Sequence, residues 1–260
     1  MKYAACIEYD GSAYFGWQYQ DHAPSVQGDI EVAISKVANH PVKIVCAGRT
    51  DTGVHGIGQI IHFESESERS LESWRLGTNS NLPDTAVMRW VMPVDDSFHA
   101  RFSAGARRYR YIVLSRETRP AILSKRVAWT RRNLNHELMH EASQHLLGEQ
   151  DFTSLRAAGC QAKHAVRTIH DISVTREGNF IYLDVKANAF LYHMVRNIAG
   201  TLFTVGEGKN SVEWVAELMA KQDRREAGAT APAGGLYFVH VDYPEQYGLP
   251  EEYQLPWFSV

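Results

Sequence analysis

The sequence predicts an α+β protein: two β-α-β-β-α-β halves that form a mixed, mainly antiparallel sheet with a central cleft. Three observations carry this. The same order of alternating and helix-periodic segments occurs twice along the chain. A composition of 44% apolar and 22% charged residues is that of an ordinary globular protein. A length of 260 residues is enough to bury a substantial core.

Lys2–Tyr9 alternates and stops at the turn-rich Asp10-Gly-Ser12, so it reads as a strand. Ser25 is placed to N-cap a helix whose apolar positions Val26, Ile30, Ala33, Ile34 and Val37 share one face. Strands follow at 42–47 and 56–63, then a short helix opened by Ser70 and carrying Leu71 and Trp74, then a strand at 85–94. The second half repeats the order. A strand at 104–114 precedes a helix at 134–147 that ends at Gly148, and strands at 166–175 and 180–186 flank a turn at 176–179. Helices at 190–205 and 211–220 and a strand at 236–243 complete it. This is the ferredoxin-like, split β-α-β order. It gives an N-terminal half over 1–100, a C-terminal half over 101–245 and a tail over 246–260.

The N-terminal apolar run is too short for a signal peptide and is interrupted by Glu8 and Asp10. The most lipid-like segment, 190–205, contains His193, Arg196 and Asn197, which argues against a membrane span. A cytoplasmic protein is expected. Cys6, Cys46 and Cys160 lie far apart without a Cys-x-x-Cys pair, so neither a disulfide framework nor a cysteine zinc site is indicated, and reduced, buried thiols are expected. The net charge of −3 hides an asymmetry: residues 101–132 hold ten Lys or Arg against one acid, Glu117, leaving the rest of the chain at −12. Such segregation fits either a polyanion-binding face or a solvated basic surface.

Between two strands lies Gly48-Arg-Thr-Asp-Thr-Gly-Val-His55. Asp and Thr that bond their own backbone and a Gly at positive φ would explain a simple connection, but not Arg49 and His55. A carboxylate at Asp51, held by backbone N–H groups and a neighbouring guanidinium, stays ionised when partly buried, as a carboxylate nucleophile must. Phe98-His-Ala-Arg-Phe-Ser-Ala-Gly-Ala-Arg-Arg-Tyr-Arg-Tyr111 interleaves arginines with rings, the two components of single-stranded nucleic-acid binding. In a strand Arg107, Tyr109 and Tyr111 share one face, and Arg108 and Arg110 the other, where they read as cations that protect an edge. Arg196, in a helix apolar around most of its circumference, needs an anionic partner, either Asp51 or another acid. Asn188 and Asn197 read as helix-end and polar-face residues.

His136-Glu-Leu-Met-His140 matches the helical zinc-hydrolase motif. Leu134, Leu138, Ala142 and Leu146 mark the opposite, apolar face, however, and no third ligand follows. Gly208-Lys-Asn210 lacks the rest of a phosphate-binding loop, and Gly53, Gly56 and Gly58 lack the dinucleotide spacing, so neither ATP nor NAD is indicated.

The Gly48–His55 motif, Phe98-His-Ala-Arg-Phe102 with Arg107-Arg-Tyr-Arg-Tyr111, Phe152-Thr-Ser-Leu-Arg-Ala-Ala-Gly-Cys160, Lys186-Ala-Asn-Ala-Phe-Leu191 with His193-Met-Val-Arg-Asn197, and Gly235-Leu-Tyr-Phe-Val-His-Val-Asp-Tyr-Pro244 together resemble the tRNA pseudouridine synthase A family, in order and across almost the whole chain. The resemblance implies an isomerase that converts uridine to pseudouridine in the tRNA anticodon stem-loop, around positions 38, 39 and 40, without cofactor or metal and as a homodimer. It implies that Asp51 is the catalytic carboxylate, that Tyr109 packs on the target base, and that Arg49 and Arg196 are active-site cations. Arg107 and Arg101 become candidates for substrate binding. Two charges about 4 Å apart at an effective dielectric near 20 interact by about 4 kcal/mol, so Arg196 could offset the desolvation of Asp51. Asp51 could attack C1′ or assist a ribose-derived intermediate, and Tyr109, Asp51 or water could take the C5 proton. Thr52, Gly56, Gly234 and Tyr192 depart slightly from the family pattern and touch none of these residues.

The alternative from another class is a non-catalytic tandem RNA-binding protein, since the RNA-recognition motif shares this element order. Its basic-glycine-aromatic signature is not found in the third strand, residues 56–63.

Overall fold

The computed structural model describes residues 1–250 and 255–258. In chain order it forms β1 (Lys2–Tyr9), α1 (Val26–Ala38), β2 (Ile44–Cys46), β3 (His55–Glu64), α2 (Leu71–Asn79), β4 (Ala86–Pro93) and β5 (Ala106–Ser115). There follow β6 (Ala128–Thr130), α3 (His136–Gln144), β7 (Gly148–Asp151), β8 (Val166–Glu177), β9 (Phe180–Ala187), α4 (Met194–Gly206), α5 (Trp214–Lys221) and β10 (Leu236–Asp242). The chain divides into two compact units, Met1–Gly105 with Tyr237–Leu255, and Ala106–Leu236 with Pro256–Val260. Of the tail expected over 246–260, residues 251–254 and 259–260 lie outside the described residues.

In the first unit β1 pairs antiparallel with both β3 and β4, and β2 pairs antiparallel with the end of β3. The start of β3 receives β10 in parallel, Tyr237 opposite His55 and Phe238 opposite Gly56. The core forms where two periodicities meet. Alternate residues Tyr3, Ala5, Ile7 and Tyr9 of β1 face Val26, Ile30 and Ile34 of α1 and Trp74 of α2 in one buried cluster. Tyr3, Phe63 and Trp74 pack ring on ring at 5.2 to 5.5 Å. Ser25 accepts from the Gly28 N–H at 3.2 Å and Ser70 from the Ser73 N–H at 3.1 Å, caps that stabilise each helix by about 1 kcal/mol. The apolar face of α1 also carries buried Glu31, whose carboxylate accepts from Gln27, Lys43 and the Ile44 N–H.

In the second unit β5, β9, β8 and β7 pair antiparallel in that order, and β6 joins β5 in parallel. The protein is therefore α+β with a mixed, mostly antiparallel sheet. Among the described residues no helix is long and apolar enough to cross a membrane.

Several sequence expectations need correction. Arg110 does not face solvent from an edge: it is 4% exposed and grips Asp184, 6% exposed, opposite it on β9, through Nε at 2.9 Å and Nη2 at 2.7 Å. Arg108 pairs with Asp171 at 3.2 Å. Helix α3 begins only after Asn135, whose side chain accepts from the N–H groups of Glu137 and Leu138, and it buries Met139 while leaving Leu138 exposed. Helix α4 starts at Met194 and not near Phe190, because His193 holds φ 59° and the Tyr192 N–H donates to Cys160 Sγ. All three cysteines are free; Cys6 and Cys46 are buried, but Cys160 is half-buried.

Candidate active site

The loop between β2 and β3 is held to the first unit by several neighbouring groups. The buried Gln59 side chain brackets Gly48, donating to its carbonyl at 2.5 Å and accepting its N–H at 3.3 Å. Tyr9 Oη and Thr50 Oγ1 lie 2.8 Å apart, and burial pushes the Tyr9 hydroxyl up, so it stays neutral. The Trp17 N–H donates to the Thr50 carbonyl at 3.0 Å. Gly16, at φ +103°, brings its backbone under the loop; a Cβ there would lie 3.1 Å from the Thr50 oxygen and 3.4 Å from the Asp51 carbonyl carbon. The loop closes with the Val54 N–H on the Asp51 carbonyl at 3.1 Å, and Gly53 takes φ 79°, the left-handed conformation expected there. His55 then stacks on Tyr237 at 4.7 Å and accepts the Gly11 N–H. These anchors leave Asp51 half-buried and Arg49 exposed, two residues apart on one loop. Among the described residues the Arg49 side chain makes no hydrogen bond or ion pair, so its donors face solvent.

Arg101 belongs to the same unit and lies exposed over the Phe102 ring, 5.6 Å from its centroid. The second unit carries the other three predicted residues. Tyr109, opposite Val185 in the β5–β9 ladder and 8% exposed, meets Phe190 edge to face at 5.0 Å. Arg107, two residues before it, donates to the Asn188 carbonyl at 3.0 Å. Arg196 sits half-buried in the first turn of α4, where the helix's own partial positive charge adds to that of the guanidinium and favours an anion.

Arg196 is positioned by the segment 228–231, which lies against α4. Its Nε donates to the Ala231 carbonyl at 2.8 Å, and the Ala231 N–H donates back to the Arg196 carbonyl at 3.1 Å. That approach needs Gly200: a Cβ there would lie 1.7 Å from the Ala229 oxygen. Gly200→Ala is therefore expected to push the segment away and to destabilise the protein by about 1–3 kcal/mol, seen as a fall of several degrees in thermal melting. An unchanged melting temperature would show that the segment yields freely.

Asn197 was expected on a polar face but is 0% exposed. It donates to the Leu155 carbonyl at 2.8 Å and accepts from Arg224 at 2.9 Å and Thr230 at 2.7 Å, tying α4 to three segments. Sequence reasoning missed Gln59 as a brace of the Asp51 loop and Asn197 as a brace of α4. The available signal for Gln59 was one amide inside the apolar run Gln59-Ile-Ile-His-Phe63. In the zinc-like motif, His140 Nδ1 accepts the Val174 N–H at 3.2 Å. Among the described residues no three His, Cys, Asp or Glu side chains gather as metal ligands.

Comparison with known proteins adds a separate line. A family model described as tRNA pseudouridine synthase matches residues 5–103 and 142–244. The chain is 57% identical over 251 residues to the tRNA pseudouridine synthase A of Aeromonas salmonicida, covering 96% of this chain and 93% of that one. It is 55% identical to the protein of that name from Actinobacillus pleuropneumoniae serotype 7, with 96% of each covered. It is also 55% identical to the one from Hydrogenovibrio crunogenus, with 94% of this chain and 93% of that one covered.

Proposed function

The chain belongs to the tRNA pseudouridine synthase family, and from that premise we propose that it isomerises uridine to pseudouridine in the anticodon stem-loop of tRNA, around positions 38, 39 and 40, with Asp51 as the catalytic carboxylate. The observation that carries the activity is identity of 52–57% with synthases of this name over nearly the whole chain. The assignment of Asp51 is supported by its loop, which is anchored by neighbouring groups and leaves the carboxylate half-buried.

The reaction breaks the bond from ribose C1′ to uracil N1, turns the freed base and joins C1′ to C5. The C5 proton leaves and N1 gains one, so the product is an isomer and no cofactor is consumed. An ionised Asp51 can attack C1′ or assist a ribose-derived intermediate. The target base must leave its stack, which costs a few kcal/mol. In this reading Tyr109 packs on the extruded base, while Arg49 and Arg196 supply positive charge at the reacting nucleotide. Arg107 and Arg101 take backbone phosphates, as arginines beside single-stranded RNA do. We further infer a cytoplasmic homodimer, on the resemblance that the sequence motifs carry.

The test is tritium release from tRNA transcripts labelled at C5 of uridine. Release is expected from the wild-type protein and is expected to vanish when uridines 38, 39 and 40 are replaced by cytidine. Folded protein that binds tRNA without release would overturn the reading in favour of a binding module, and undiminished release from the replaced transcripts would overturn the site.

A further inference from the structure

Among the described residues of the first unit the most exposed aromatic ring is Phe102, at 76%, and it is not loosely held. It stacks on His99 with centroids 4.3 Å apart and planes 25° apart, and His99 in turn packs on the buried His62 at 4.7 Å. The turn beneath is locked. His99 Nδ1 accepts the N–H groups of both Arg101 and Phe102 at 3.2 Å, and the His99 N–H donates to Ser103 Oγ at 3.0 Å. His62 Nδ1 accepts the Ala100 N–H at 3.0 Å. Burial pushes His62 down to about 4 and His99 below its ordinary range, which keeps both rings neutral and suited to these acceptor roles. Below the turn, fully buried Phe98 packs on Tyr243 and Tyr247, each at 5.1 Å.

The result is a fixed column of rings whose outermost member, Phe102, is largely exposed and has the Arg101 guanidinium over its ring. Because the ring is already ordered, a ligand that covers it loses little further side-chain entropy on binding. The exposed surface is that of a single ring with a guanidinium at 5.6 Å, which is too small for a stable protein interface but matches one planar base. A ring for the base with a cation for the adjoining phosphate is how single-stranded nucleic acid is held.

We propose that Phe102 is the platform on which a second, unpaired nucleobase of the tRNA stacks, distinct from the uridine being isomerised, with Arg101 on its phosphate. The proposal rests on the tRNA-modifying reading above and adds a positioning contact to it. Stacking belongs to binding and not to bond exchange, so it should appear in KM and not in kcat.

The experiment is steady-state tritium release by Phe102→Ala and Phe102→Trp. Phe102→Ala is expected to raise KM for tRNA roughly tenfold with kcat within about twofold, the loss typical of one stacked base. Phe102→Trp is expected to keep KM near wild type, with added indole fluorescence that tRNA quenches. A Phe102→Ala enzyme with unchanged KM, an equal rise in KM for both variants, or loss of kcat alone would overturn the platform. So would a change of oligomeric state in Phe102→Ala without tRNA, which would assign the ring to contact between copies. Failure of the wild type to release tritium would instead sink the underlying activity, so the two failures are distinguishable.

Discussion

Asp51→Asn is expected to abolish pseudouridine formation, lowering tritium release by more than about a thousandfold while leaving tRNA binding within a few fold. The substitution preserves shape and keeps an oxygen that accepts hydrogen bonds, but it removes the charge and the nucleophilic lone pair that attack or stabilisation at C1′ requires. Loss through misfolding is not expected. Gly48 is fixed by Gln59, Thr50 by Tyr9 and Trp17, and Asp51 itself through its backbone carbonyl to Val54, all of which the variant retains. Circular dichroism and tRNA affinity should match the wild type. Activity within tenfold of wild type would remove Asp51 from the chemistry.

The second large effect concerns stability. Asp184→Ala is expected to cost about 3–5 kcal/mol in urea unfolding, because it leaves the Arg110 guanidinium buried without its counter-charge. The pair is bidentate, and the guanidinium also lies 4.8 Å from the Tyr182 ring centroid and donates to the Pro256 carbonyl at 3.2 Å. None of these neutral partners replaces a carboxylate. Replacing both members, Arg110→Met with Asp184→Leu, should recover most of the loss, since an apolar pair of similar volume avoids desolvating two charges. If Asp184→Ala falls within about 1 kcal/mol of wild type, water must reach Arg110.

The sequence made some of these features legible and hid others for physical reasons. Ser25 and Ser70 were readable as caps because a hydroxyl before an apolar-periodic run has one favoured use. The Asp51 loop stood out because Arg, Asp and His interrupt two apolar strands. Arg110 was misread because alternation assigns it to the face opposite Tyr109 without saying that this face is covered. Its partner Asp184 is 74 residues away, and only the β5–β9 register brings the two opposite each other. Strands β6 and β7, of three and four residues, carry too few positions for a period to be read. Asn197 looks polar in sequence and becomes structural only when Leu155, Arg224 and Thr230 supply partners for both ends of its amide.

The pairing of β10 with the start of β3 has a consequence for how the enzyme is made. Tyr237 and Phe238, which flank the Asp51 loop through His55 and Gly48, leave the ribosome long after the Met1–Gly105 part of their unit. At about 5–20 residues per second, roughly 7 to 26 seconds of translation separate Gly105 from Tyr237. A nascent chain can pack β1, β3 and β4 with their two helices early, yet the wall beside its carboxylate is still unwritten. The neighbours of the Asp51 loop are thus complete only once Tyr237 and Phe238 have been made.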